Sequence, residues 1–148
     1  MCEHCSSVHQ THPTVNVRGV PIDEKLAPLI NTLWSLGIRT TETCQQIASV
    51  RDIPVASISF ETTDDATKFI TLLAASNPQF RDDLLYLDDF PSDNGFRCYI
   101  WFQGSIGSAF AQLFPTVSVE IPTEHIERIT TNITQHLSWI ALTATQDL

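Results

Sequence analysis

Positive charge is scarce in this chain: eight Lys plus Arg stand against seventeen Asp plus Glu, a net charge of −9 over 148 residues. The deficit removes the long-range attraction to phosphate that supports nucleic-acid binding, so nucleic acid is not an expected partner. A local basic pocket for a small anion is still compatible with it. No run of 18 or more apolar residues occurs, which argues against a membrane-spanning helix. The first twenty residues hold Cys, His and Ser where a secretory signal needs an unbroken apolar stretch, so the expected compartment is the cytoplasm. Glycine and proline are few, at five and eight, and a 43% hydrophobic fraction beside 17% charged residues excludes a low-complexity chain. Four cysteines without an export signal are expected to be reduced thiols or metal ligands rather than a disulfide framework.

Familiar phosphate and calcium signatures are missing too. Gly104-Ser105-Ile106-Gly107-Ser108 has no P-loop lysine and does not match the dinucleotide fingerprint, which leaves a turn. Asp82, Asp83, Asp88 and Asp89 do not follow EF-hand spacing and read as a solvated acidic face.

What is present reads as a small α+β domain. A chain of 148 residues can bury roughly two thirds of its unfolded surface in one core. Residues 1–13 form a Cys/His-rich appendage with few apolar side chains, and 14–148 a single domain. Val15, Val17 and Val20 alternate as one short strand. Asp23 is the expected cap of a helix carrying Leu26, Leu29, Ile30, Leu33 and Trp34, with Pro28 near its start and Gly37 at its end. Strands are expected over 38–44 and 55–61, paired as a hairpin, and Thr62 or Thr63 caps a helix bearing Ala66, Phe69, Ile70 and Leu73.

An acidic connection with one helical turn follows. Phe96, Cys98, Ile100 and Phe102 then alternate in the most regular strand, which the pattern places centrally in the sheet. Val117, Val119 and Ile121 mark a last strand, and Thr123 begins a helix with Ile126, Ile129, Ile133, Leu137 and Ile140. Strand pairs alternating with helices predict a two-layer α+β sandwich, a mainly antiparallel sheet covered by helices, ferredoxin-like or related.

Two constellations can carry chemistry. Cys2, Cys5, His9 and His12, with His4 as a substitute, have the residue types of a structural zinc site, although their spacing is compact; the alternative is a solvated tail. The second is the polar cluster Arg39, Thr40, Thr43, Cys44 and Gln45 at a strand end. There a thiol, hydroxyls and an amide can hydrogen-bond a small polar ligand beside the Arg39 charge. Cys44 can instead be a nucleophile with His125 as its base, or a small buried residue among ordinary strand-forming threonines. Trp34 and Trp101 can stack on a ring, although core packing is their more common use.

Ile22-Asp23-Glu24-Lys25-Leu26 through Leu33-Trp34, and on through Gly37-Ile38-Arg39-Thr40 to Thr43-Cys44-Gln45, resembles a group of small, uncharacterised proteins of bacteria and their phages. These share an Asp-initiated helix ending in Leu-Trp, then Gly-Ile-x-Thr-x-x-Ser-Cys-Gln or Ser-Cys-Glu. Thr43 replaces the usual serine here and keeps the hydroxyl. The resemblance covers about a third of the chain; it implies a fold and a joint role for Thr40, Cys44 and Gln45, with no activity attached. The leading expectation is a non-enzymatic binding or regulatory protein for a small polar ligand, nucleotides included. The alternatives are an enzyme using Cys44 with His125 or a metal, and a structural or protein-interaction module, homo-oligomeric or bound to another protein.

Overall fold

The computed structural model describes residues 12–47, 52–85, 94–105 and 112–146. They form three successive strand-strand-helix units. The first is β1 (Thr14–Val17), β2 (Val20–Asp23) and α1 (Ala27–Ser35), and the second β3 (Thr40–Ile47), β4 (Val55–Phe60) and α2 (Thr63–Ser76). After a 3-10 turn and the short α3 (Arg81–Leu85), the third comprises β5 (Arg97–Ser105), β6 (Gln112–Pro122) and the long α4 (Ile126–Gln146). β1 and β2 pair by themselves, while the other four strands form a sheet in the order β3-β4-β6-β5 with every neighbour antiparallel. The expected α+β sandwich is therefore what forms.

Alternation dictates how the layers meet, because residues two apart share a sheet face. Ala56, Ile58 and Phe60 of β4 and Val117, Val119 and Ile121 of β6 are buried on the helix side. Leu29, Ile30 and Leu33 of α1, Phe69 and Leu73 of α2, and Ile129 and Ile133 of α4 join them in one continuous core. The rings of Phe60 and Phe69 stack 5.3 Å apart across the sheet–helix boundary. Each such fully buried side chain contributes about 1.5–3 kcal/mol relative to exposure.

Helix termini follow local chemistry. Gly37 takes φ +76°, its N–H donates to Trp34 O and that of Ile38 to Leu33 O, so two otherwise orphan carbonyls of α1 are satisfied in a Schellman arrangement. Thr62 caps α2 by accepting the Asp65 N–H at 3.0 Å. Asp23 does not cap α1. The helix starts at Ala27 with Pro28 in its first turn, where a missing N–H is harmless, and Asp23 ends β2.

Two other expectations change. The single strand through Val15, Val17 and Val20 is a hairpin, turned at Arg18 (φ 51°) and Gly19 (φ 87°). Positive φ at both central positions matches the twist of a two-residue hairpin, and Asn16 Oδ1 accepts the Gly19 N–H at 2.8 Å. The strand of Phe96, Cys98, Ile100 and Phe102 lies at the sheet edge, not its centre. Phe96 is buried, whereas Ile100 and Phe102 are 58% and 62% exposed. No helix among the described residues is long and apolar enough to cross a membrane.

Candidate ligand-binding site

The sheet face turned away from the helices is polar, yet much of it is buried. Cross-strand register places Cys44, Ser57, Glu120 and Arg97 in one row, and Glu42, Ser59, Ser118 and Tyr99 in the next. Ser118 and Glu120 are only 1% and 3% exposed, well below what a freely solvated sheet face would show. Their cover comes from β5, whose long side chains lie back over the short residues of β6 and β4.

Three contacts define that cover. Trp101 Nε1 donates to Ser118 Oγ at 2.7 Å, and Ser118 Oγ is in turn 2.7 Å from Ser59 Oγ. Arg97 pairs with Glu120 at 3.4 Å and stacks its guanidinium 4.1 Å from the centre of the Tyr99 ring. Burial pushes the Tyr99 phenol up, and the Glu120 charge adds to this; the Arg97 charge and hydrogen bonds with Ser118 and Ser57 offset part of it. The phenol is therefore a neutral hydrogen-bonding group throughout the physiological range.

Between β3 and the β5 aromatics lies a cavity of about 240 Å³. Ser57, Ser59 and Ser118 form its floor, Tyr99 and Trp101 one wall, and Glu42, Thr43, Cys44 and Ile47 the other. Hydroxyls, a carboxylate and two flat rings converge there. Such a site can hold a small planar molecule by stacking and orient it through hydrogen bonds.

The residues singled out in the sequence divide between this cavity and other tasks. Thr43 and Cys44 line it. Arg39 does not: its side chain is exposed, 3.8 Å from Glu61 and 3.9 Å from Asp65, while its N–H donates to Asp65 Oδ1. Thr40 Oγ1 accepts the indole N–H of Trp34 at 3.0 Å, which ties α1 to β3 and gives Trp34 a structural role. Gln45 is a buried staple, taking the Lys25 N–H on its side-chain oxygen, donating its own N–H to Asp23 and accepting the Thr123 hydroxyl on its carbonyl.

Of the proposed zinc set, Cys2, Cys5 and His9 lie outside the described residues, as does the substitute His4. His12 does not stay in an independent appendage. Its Nε2 lies 3.4 Å from Gln46 O, and it sits with Asp23 and Cys44 in a group whose ligand atoms are all within 4.8 Å of one another. The two constellations thus meet at Cys44. Cys44 is disulfide-bonded here, which departs from the expectation of thiols or metal ligands throughout. Cys98 is free.

The His125 ring packs 4.9 Å from that of Phe80, and its Nε2 is 3.6 Å from Glu124. Burial pushes the free Cys98 thiol up, away from a reactive thiolate. In the acidic segment Asp83 accepts Asn94 Nδ2 at 2.9 Å, while Asp88 and Asp89 lie outside the described residues, as do Ile106 to Ser108 of the glycine-containing turn.

Sequence reasoning missed Glu42, Ser57, Ser59, Tyr99 and Ser118; of the two uses it left open for Trp101, ring stacking and core packing, the cavity lining is compatible with the first. The available signal was the pairing of short hydroxyl residues on the polar alternates of 55–61 and 117–121 with large aromatic ones on those of 97–102. Protein-family models, curated proteins and solved structures were all compared with the chain, and none matches it.

Proposed function

We propose that this chain is a non-enzymatic binding protein that holds a small, polar, ring-bearing molecule in the cavity between β3 and β5. The observation that carries the reading is the hydroxyl floor of Ser59 and Ser118, buried beneath Trp101 and Tyr99. At about 240 Å³ the space is below the usual ligand-pocket range of about 300–1,000 Å³, which suits one ring system and not a dinucleotide.

Charge narrows the ligand class. Glu42 lines the cavity, and Arg97, the arginine that the described residues place on this face, is paired with Glu120. A free phosphate is disfavoured there, while a neutral or cationic base, or a nucleoside, matches the donors and acceptors. This restricts the nucleotide reading to the base end of such a molecule. Binding is favoured over turnover because Cys44 is engaged in a disulfide and His125 packs elsewhere. Sequestering such a ligand would make the chain a small regulator or inhibitor.

The test is titration of purified protein with nucleobases and nucleosides, followed by tryptophan fluorescence and isothermal calorimetry. Saturable binding that weakens at least tenfold in Trp101→Ala supports the assignment. Absence of binding across the panel, or equal affinity in Trp101→Ala, overturns it.

A further inference from the structure

His12 precedes β1, Asp23 ends β2 and Cys44 lies in β3, so three separate segments deliver one metal-ligating atom each to a single corner. A ring nitrogen, a carboxylate oxygen and a sulfur gather there within 4.8 Å of one another. Asp23 and Cys44 are 6% and 2% exposed. A buried carboxylate is costly unless it is paired with a cation or binds a metal. Asp23 has no ion-pair partner among the described residues, and its carboxylate accepts a single N–H, that of Gln45.

We propose that this corner binds zinc, or a divalent transition metal of similar softness, through His12, Asp23 and Cys44 when the chain is reduced. The donor set selects the metal. Imidazole and thiolate suit zinc, whereas magnesium and calcium take oxygen ligands almost exclusively. Tetrahedral zinc with bonds of about 2.0–2.3 Å separates its donor atoms by about 3.3–3.8 Å, so the trio closes by about 1 Å on binding. The Gln45 N–H, 2.8 Å from Asp23 Oδ2, already orients the carboxylate as an outer partner of the site. Three protein ligands leave a fourth position for water or another donor.

Sulfur chemistry makes this site conditional. In the disulfide Cys44 carries no thiolate to offer. Reduction by two electrons and two protons yields two thiols, and Cys44 then releases its proton to solvent as it coordinates the metal. One sulfur therefore serves either as a cross-link or as a ligand. The set shares only His12 with the four residues that the sequence spacing suggests.

The experiment uses the full chain, reduced with a trialkylphosphine that becomes its oxide as the disulfide opens, stripped with EDTA and titrated with zinc against a chromophoric chelator. One equivalent of zinc is expected, and cobalt(II) in its place should give thiolate charge-transfer absorption. Cys44→Ser, Asp23→Asn and His12→Ala should each weaken zinc at least tenfold, the oxidised parent likewise, and Cys98→Ser not at all. The cobalt band of the parent reports a thiolate ligand, and its loss in Cys44→Ser with retention in Cys98→Ser assigns that ligand to Cys44. A reduced parent that takes up no zinc, or gives no charge-transfer band, overturns the proposal. So does unchanged affinity in both Cys44→Ser and Asp23→Asn, which moves the metal to Cys2, Cys5, His9 and His12.

Discussion

Asp23 accepts the backbone N–H of Gln45 through Oδ2 at 2.8 Å, a buried bond that joins the small β1–β2 hairpin to the main sheet. The two residues lie 22 positions apart. Removing the acceptor leaves a buried N–H unsatisfied, at about 1–3 kcal/mol. Asp23→Ala should therefore lower the urea midpoint by that free energy in EDTA-treated protein, and Asp23→Asn, which keeps a carbonyl acceptor, by less. Equal losses in the two variants would place the effect in the charge and not in the hydrogen bond.

Acid stability turns on Asp65. Burial alone would raise its carboxyl, but the Thr62 hydroxyl, the Arg39 N–H and the charges of Arg39 and Lys68 outweigh that and hold it below its ordinary 3.8. A carboxyl depressed in the folded state contributes stability above its unfolded value, and the contribution is lost as pH falls through the folded one. Unfolding measured from pH 7 down to pH 2 should therefore show a loss beginning near 3.8 in the parent that is flattened in Asp65→Asn. Thr62→Ala should cost about 0.5–2 kcal/mol at neutral pH through the lost cap, and return Asp65 towards its ordinary value.

The outcome at these residues shows which information a sequence carries. Helical spacing of Ala66, Phe69 and Leu73, a threonine before them and a glycine after Trp34 are local signals, and each led to the right element. Period-two alternation likewise gave the two faces of β4, β5 and β6. It reports faces and not neighbours, which is why β5, the most regular strand, was placed centrally although it lies at the edge. The approach of His12 to Cys44, 32 positions apart, depends on how the first hairpin docks, and no local pattern encodes that closure. Only the pairing of β5 with β6 brings aromatic cover over Ser57, Ser59 and Ser118, so their own alternation does not encode their burial.

That cover gives a coupled test. Ser118 Oγ takes the Trp101 N–H at 2.7 Å and lies 2.7 Å from Ser59 Oγ, so Ser118→Ala removes a partner from the Trp101 indole, the Ser59 hydroxyl and the Tyr99 phenol. The expected loss is about 1–3 kcal/mol. Ser59→Ala made in addition should cost less than its single effect, because its partner is already gone. A four-protein denaturation cycle measures the coupling; strictly additive losses would show that the two hydroxyls do not act as a pair.

Tyr99 reports on the cavity through its proton. Burial and the neighbouring Glu120 charge raise its phenol above the ordinary 10.0, and Arg97 with the Ser118 and Ser57 hydroxyls only partly offsets them. For a group raised in the folded state, the stabilising contribution is complete below the unfolded value and vanishes as pH rises through the folded one. The chain holds two tyrosines, so Tyr86→Phe leaves one phenol to follow by ultraviolet absorbance. It should ionise above pH 10.0, and Glu120→Gln should bring the transition down by removing the negative neighbour. A ring stacked in the cavity excludes water from the same hydroxyl and should push the transition higher still. A midpoint that ignores both Glu120→Gln and a saturating nucleoside would mean that Tyr99 is not part of the binding surface.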